Sequence, residues 1–274
     1  MIRAASKLYS MSSFFVPVFA FFAIATFAAG RAWATDPGAL QVIASGTSTS
    51  NESSEETPDE NFSLMVMGDF NRDGIADKAV AILPARNRSG PAVLTVLLGQ
   101  PSGIFKQVPS NLVLNHAPRS IVIGDFNGDR LPDLIVGTDD GSLLLFLGDG
   151  TGRMAPAGDI AHLDSVVSVV VADFNHDNIL DIAVTDWRAS LVTVFLGTGN
   201  GLFHHAWSSP LRMPGTVPHV VAADFNGDGI LDLAVVYEDD EGGTFEVMLG
   251  SGNGTFTFAP ELSFVRDPNS HCTT

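Results

Sequence analysis

Cysteine is almost absent from this sequence: Cys272 stands alone near the C-terminal end. A single thiol cannot close an intrachain disulfide, so covalent cross-links are excluded as a brace for the loops. Charge is also scarce, at 16% of residues, and it is lopsided, with 14 Lys plus Arg against 31 Asp plus Glu and a net charge of −17. Phosphate binding needs a basic face, so this balance argues against nucleic acid and against an anionic membrane surface. Catalytic signatures are missing as well. There is no G-x-S-x-G, and Cys272 has no setting as a nucleophile. The seven histidines do not recur in phase. His204 and His205 are adjacent, so in a strand they point to opposite faces and share a metal poorly. The reading is of a non-enzyme with cations as its natural partners.

The N-terminus reads as an export signal. Arg3 and Lys7 give a positive start, an apolar run follows from Phe14 to Ala29, and Ala32-Trp33-Ala34 is a small-x-small cleavage pattern. Cleavage after residue 34 would remove three positive charges and no acid, leaving a chain near −20 that is secreted, periplasmic or held at the cell surface. An uncleaved membrane anchor is the alternative, since the run is long for a signal core and slightly short for a span. Residues 35–60 are rich in Ser, Thr, Glu and Pro and read as a disordered linker. A repeat domain is expected over 61–264, with a tail at 265–274.

Four segments align: GDFNRDGIADKAV from Gly68, GDFNGDRLPDLIV from Gly124, ADFNHDNILDIAV from Ala172 and ADFNGDGILDLAV from Ala223. Their leading aspartates are 56, 48 and 51 residues apart, a period that signals a repeat architecture. A second signature trails each one, as in VTVFLGTGNGLF and FEVMLGSGNGTF. Short runs of Val, Ile, Leu and Phe precede and follow each Asp loop and precede each Gly-rich turn, and a weaker fourth run follows it. They are bounded by Gly, Asp, Asn or Pro, and none has the length of a typical helix. The expectation is an all-β chain of four propeller-like blades, favoured over a β-sandwich by the regular phase.

In the last loop, Asp224, Asn226, Asp228 and Asp232 place side-chain oxygens at positions 1, 3, 5 and 9. A curled loop can turn these inward, with the backbone carbonyl of Ile230 at position 7 as a further donor. Such an oxygen cage suits Ca2+, one ion per repeat and up to four, better than Mg2+, which keeps several waters. The corresponding sets are Asp69, Asn71, Asp73, Ile75 and Asp77; Asp125, Asn127, Asp129, Leu131 and Asp133; and Asp173, Asn175, Asp177, Ile179 and Asp181. An EF-hand is a poor fit, because position 12 is Val80, Val136, Val184 or Val235 rather than Glu, and the flanks read as strands. Asp, Asn and Gly are also generic turn formers. A plain turn, however, has no evident need for the position-9 carboxylate, and no Lys or Arg recurs to neutralise three acids. Position 6 should take a positive φ, which Gly74 and Gly229 allow, Asn178 tolerates and Arg130 resists, so the second site should bind most weakly.

The stretch ADFNGDGILDLAVV followed by VMLGSGNGTF resembles the FG-GAP or VCBS-type repeat, found in the integrin α-chain propeller and in many exported bacterial proteins. The resemblance covers about residues 61–260. It implies a β-propeller with calcium in the loop between the first two strands of a blade, held by the residues named above. Integrin-like propellers have seven blades and four repeats are visible here. The chain would therefore close as a small ring, remain an open arc, or complete a ring by self-association. Phe70, Phe126, Phe174 and Phe225 at position 2 should point away from the ion and pack between blades. The functional expectation is a binding or adhesion module for a glycan or protein. The alternatives are a structural or accessory domain without a ligand and, behind it, a carbohydrate-active enzyme.

Overall fold

The structure, a computed structural model, describes residues 42–44, 63–83, 91–109, 112–212, 217–238 and 244–263. The export signal, most of the linker, Cys272 and the C-terminal tail lie outside the described residues. Among those described, no helix is long and apolar enough to cross a membrane.

Four antiparallel meanders follow one another. The first runs β2 (Ser63–Gly68), β3 (Asp77–Ile82), β4 (Ala92–Gly99) and an outer position split between β5 (Phe105–Gln107) and β6 (Leu112–Leu114). The second is β7 (Pro118–Gly124), β8 (Asp133–Thr138), β9 (Ser142–Gly148) and β10 (Met154–His162). The third is β11 (Val166–Ala172), β12 (Asp181–Asp186), β13 (Leu191–Gly197) and β14 (Phe203–Pro210). The fourth is β15 (Val217–Ala223), β16 (Asp232–Glu238), β17 (Thr244–Gly250) and β18 (Phe256–Phe258), followed by a 3-10 turn at Pro260–Leu262. This is the all-β, four-sheet architecture expected of propeller blades. It differs from the expectation in one place. Inside the stretch read as linker, Val42–Ala44 forms β1 and pairs antiparallel with β2.

Each second strand explains why its sequence is a continuous apolar run. Every residue of β8 and of β12 is buried, whereas β3 alternates buried and half-buried. A strand covered on both faces needs apolar residues on both faces. The cores accordingly lie between blades. Val66, Phe70, Ala79 and Leu94 of the first blade pack with Leu134, Val136, Phe146 and Met154 of the second. Phe126, Ile135 and Leu145 meet Ile182, Val184 and Phe195, and Phe174, Val192 and Val194 meet Leu233, Val235 and Phe256. Burying one such side chain contributes roughly 1.5–3 kcal/mol. Hydrogen bonds add register between the inner strands. The Ser120 hydroxyl accepts the Val169 N–H at 3.1 Å, and the Ser168 hydroxyl accepts the Val220 N–H at 3.3 Å.

The glycine that ends each third strand is forced by close approach. A Cβ at Gly99, Gly148, Gly197 or Gly250 would collide with the carbonyl of the eighth loop residue, Ala76, Pro132, Leu180 or Leu231. Backbone cannot yield there as a flexible side chain would. We expect Gly197→Ala to destabilise the chain by at least about 2 kcal/mol, as overpacking at a rigid site does. Urea titration of the wild type and the variant checks this; equal midpoints would contradict it.

Candidate metal centres

The four Asp loops join the first and second strands of each blade, and their internal hydrogen bonds repeat almost atom for atom. Oδ1 of Asp69, Asp125, Asp173 or Asp224 accepts the N–H of residue 5 of its loop at 3.1–3.2 Å. The other oxygen accepts the N–H of residue 6 at 2.8–2.9 Å. Asn71, Asn127, Asn175 and Asn226 accept the N–H of residue 5 and donate from Nδ2 to its carboxylate. Asp73, Asp129, Asp177 and Asp228 in turn accept the N–H of residue 7 at 2.8 Å. The loop is thus curled by its own side chains, as Asx turns are.

This curl requires left-handed backbone at two positions, one more than the sequence suggests. Position 6 has φ of 79°, 64°, 65° and 85° at Gly74, Arg130, Asn178 and Gly229. Position 4 has φ of 61°, 79°, 61° and 81° at Arg72, Gly128, His176 and Gly227. The fourth loop therefore has glycine at both, the first and second at one, and the third at neither. Arg130 is strained as expected, and Arg72 in the first loop shares that strain, whereas His176 and Asn178 in the third are residue types that enter this region more readily. We expect the double substitution His176→Gly with Asn178→Gly to raise the stability of the metal-free protein by about 1 kcal/mol or less. An unchanged or lower urea midpoint would contradict that.

Asp77, Asp133, Asp181 and Asp232 at position 9 are fully buried. One oxygen accepts the N–H of Phe70, Phe126, Phe174 or Phe225 at 2.8–2.9 Å. The other accepts the N–H of Gly99, Gly148, Gly197 or Gly250 at 2.7–2.9 Å. Each carboxylate therefore ties the loop entrance to the end of the third strand. This corrects the argument that a turn has no need for the ninth-position acid: it has a structural task besides any ligation. Burial first, then the charges of positions 5 and 1, push Asp133 and Asp181 up to about 6, and Asp77 is raised for the same reasons. Asp224 is held below the usual range, chiefly by the Gly229 N–H.

No described Lys or Arg forms an ion pair with any of the twelve loop aspartates. The donors are all oxygens, with lone pairs left on each carboxylate, so the set fits a hard dication. The position-7 side chains half-bury against their own blade. Ile75, Ile179 and Ile230 pack at Gly99, Gly197 and Gly250, and Leu131 packs at Gly150, which leaves their carbonyls as the relevant donors.

A second grouping, invisible to motif spacing, is His116, Asp139 and Asp140, whose ligand atoms lie within 4.8 Å of one another. Pairing of β7 with β8 brings these distant residues together. His116 Nε2 is 3.3 Å from Asp140, whose carboxylate also accepts from Thr138 and Ser142. Despite partial burial, those bonds and His116 hold Asp140 below the usual carboxylate range. Asp139 accepts the Ala117 N–H at 3.1 Å. Both acids thus have hairpin-bracing tasks. His205 in β14 is engaged with Ser208 at 2.7 Å and with the Phe195 ring, apart from any acid cluster.

Repeated four-strand sheets with one Asp loop each define a class, and the chain belongs to the FG-GAP-like repeat family, whose model matches residues 69–136, 125–184 and 179–235. The chain is also similar to cartilage acidic protein 1 of Xenopus tropicalis, at 26% identity over 138 residues, which is 47% of this chain and 21% of that protein. It spans about a fifth of that relative's length.

Two substitutions separate bracing from ligation. Asp177→Asn should weaken cation binding while costing metal-free stability less than about 1 kcal/mol, since its amide oxygen still accepts the Ile179 N–H and only the exposed bond from Asn175 Nδ2 is lost. Asp181→Asn should lower both, because an amide nitrogen cannot accept a backbone N–H; about 1–3 kcal/mol of metal-free stability should be lost. Equal effects in the absence of metal would contradict the assignment.

Proposed function

We infer that the four loops bind calcium and that the chain is an exported repeat scaffold acting as a binding or adhesion module for a glycan or protein. The observation that carries the calcium reading is the set of twelve loop aspartates with no cationic side chain paired to them among the described residues. Positions 1, 3, 5 and 9 and the carbonyl of position 7 would hold the ion in each loop. A bound dication supplies the positive charge that three crowded carboxylates lack. Membership of the repeat family supports the same assignment. The role is recognition rather than catalysis. The four Asp loops are held on rigid strands, and loops on such scaffolds are the usual recognition surfaces. Export follows from the N-terminal apolar run and the Ala32-Trp33-Ala34 pattern.

Protons compete with calcium for the ninth-position acids. Asp133 and Asp181 are raised to about 6 when folded, above an ordinary value of 3.8. The metal-free folded chain thus binds more protons than the unfolded chain between those values, and its stability falls as pH rises through that window. Acidification therefore favours the metal-free protein and displaces the ion. The difference in Tm between calcium-loaded and EDTA-treated protein should shrink as pH drops from 7 to 5; a constant difference would contradict the coupling.

Recognition is tested by a glycan array and by pull-down with candidate surface proteins, each run with calcium and with EDTA. Calcium-dependent capture of one ligand class supports the module. No ligand in either condition, with EDTA changing only Tm, supports a structural or accessory domain instead.

A further inference from the structure

The blade-to-blade contact is a repeated unit with two halves. The accepting half is the position-2 phenylalanine. Its carbonyl accepts an N–H from the Gly-rich turn of the next blade: Phe70 from Gly152 at 3.0 Å, Phe126 from Gly201 at 2.8 Å and Phe174 from Gly254 at 3.2 Å. Its ring packs on the first residue of the next blade's fourth strand. Phe126 meets Phe203 at 6.0 Å, Phe174 meets Phe256 at 5.5 Å, and Phe70 shares a core with Met154. These three phenylalanines are 1–2% exposed.

Both ends of the array keep their half without its complement. Phe225 on the fourth blade is 41% exposed, and no described N–H donates to its carbonyl. Gly227 beside it has open space, whereas its counterpart Gly128 abuts the Gly199 carbonyl of the next blade. This corrects the expectation that all four phenylalanines pack between blades. On the first blade, Phe105 occupies the place of Met154, Phe203 and Phe256 and is 38% exposed. Gly103 has the left-handed φ of its counterparts, 80°, with nothing near its open side. Its N–H turns back to the Gln100 carbonyl at 2.8 Å.

We propose that a second copy of this chain docks head to tail, with Phe225 of one molecule seated against Phe105 and Gly103 of the next. The contact continues an interface the chain already makes three times, which fixes both occupant and orientation. It is heterologous, so copies add in one direction until a ring closes or a filament grows. One residue marks the first-blade face as different from the internal ones. Lys78 stands where Leu134, Ile182 and Leu233 are buried in later blades, and its ammonium lies 3.9 Å over the Phe105 ring. That cation–π contact has to yield on docking, which sets the association weaker than the internal contacts.

Sedimentation velocity of the full chain tests this, in a nonionic detergent that keeps the apolar N-terminal run in solution. Wild-type protein should form larger species as concentration rises. Phe105→Asp and Phe225→Asp should each sediment as monomers, and their equimolar mixture should give a 1:1 complex, because each supplies the half the other has lost. Lys78→Leu should shift assembly to lower concentration. A wild-type chain that stays monomeric to about 0.1 mM, well above micromolar affinities, overturns the proposal. So does a Phe105→Asp protein that still assembles alone, which would mean fourth blades pair with each other. Should an aspartate variant fail to fold by circular dichroism, Phe105→Gln and Phe225→Gln carry the same comparison.

Discussion

One buried carboxylate per blade organises the structure. Asp77, Asp133, Asp181 and Asp232 each accept two backbone N–H groups, one from the loop entrance and one from the end of the third strand. In five of these eight bonds the N–H is buried and would otherwise lack a partner, a loss worth about 1–3 kcal/mol each; those of Gly148, Phe225 and Gly250 are part-buried. The same carboxylate sits under two other acids of its loop. Its burial and their charge raise its proton affinity where the shift is resolved. A group that braces the backbone is therefore also the place where negative charge is least tolerated. A dication would resolve that conflict without removing the brace.

The constraint spreads along the chain. The N–H held by the ninth-position acid belongs to the position-2 phenylalanine, whose carbonyl receives the next blade's turn. One residue, through the two peptide groups that flank its Cα, thus connects the loop to the blade beyond it. Ordering a loop orders the contact surface, so a cation held in the loop would also stiffen blade packing. With a single cysteine in the chain, such coupling would do work that a disulfide cannot do here.

Much of this was legible in the sequence. The four-fold phase of the Asp loops gave the four sheets, and the apolar runs gave the strands, because both faces of β8 and β12 are covered by neighbours. The position-9 acids were legible as special, but only their charge was visible. Their bracing task depends on glycines 15 to 22 residues away, and no local pattern shows which N–H those oxygens meet. The left-handed fourth position was obscured by Arg72 and His176, because neither is the glycine that marks such a position in the other two loops. The fate of Phe225 was hidden for another reason. A repeat motif describes an interior unit, and the last unit has the same residues without the next blade to cover them.

The most direct test of the account is calorimetric titration of calcium into the EDTA-stripped full chain, with the metal content of the untreated protein measured alongside. The account predicts saturable binding of up to four ions and a Tm that rises with calcium at pH 7. Absence of saturable heat, together with a Tm indifferent to EDTA, would show that the buried carboxylates serve only the backbone and would contradict the central claim.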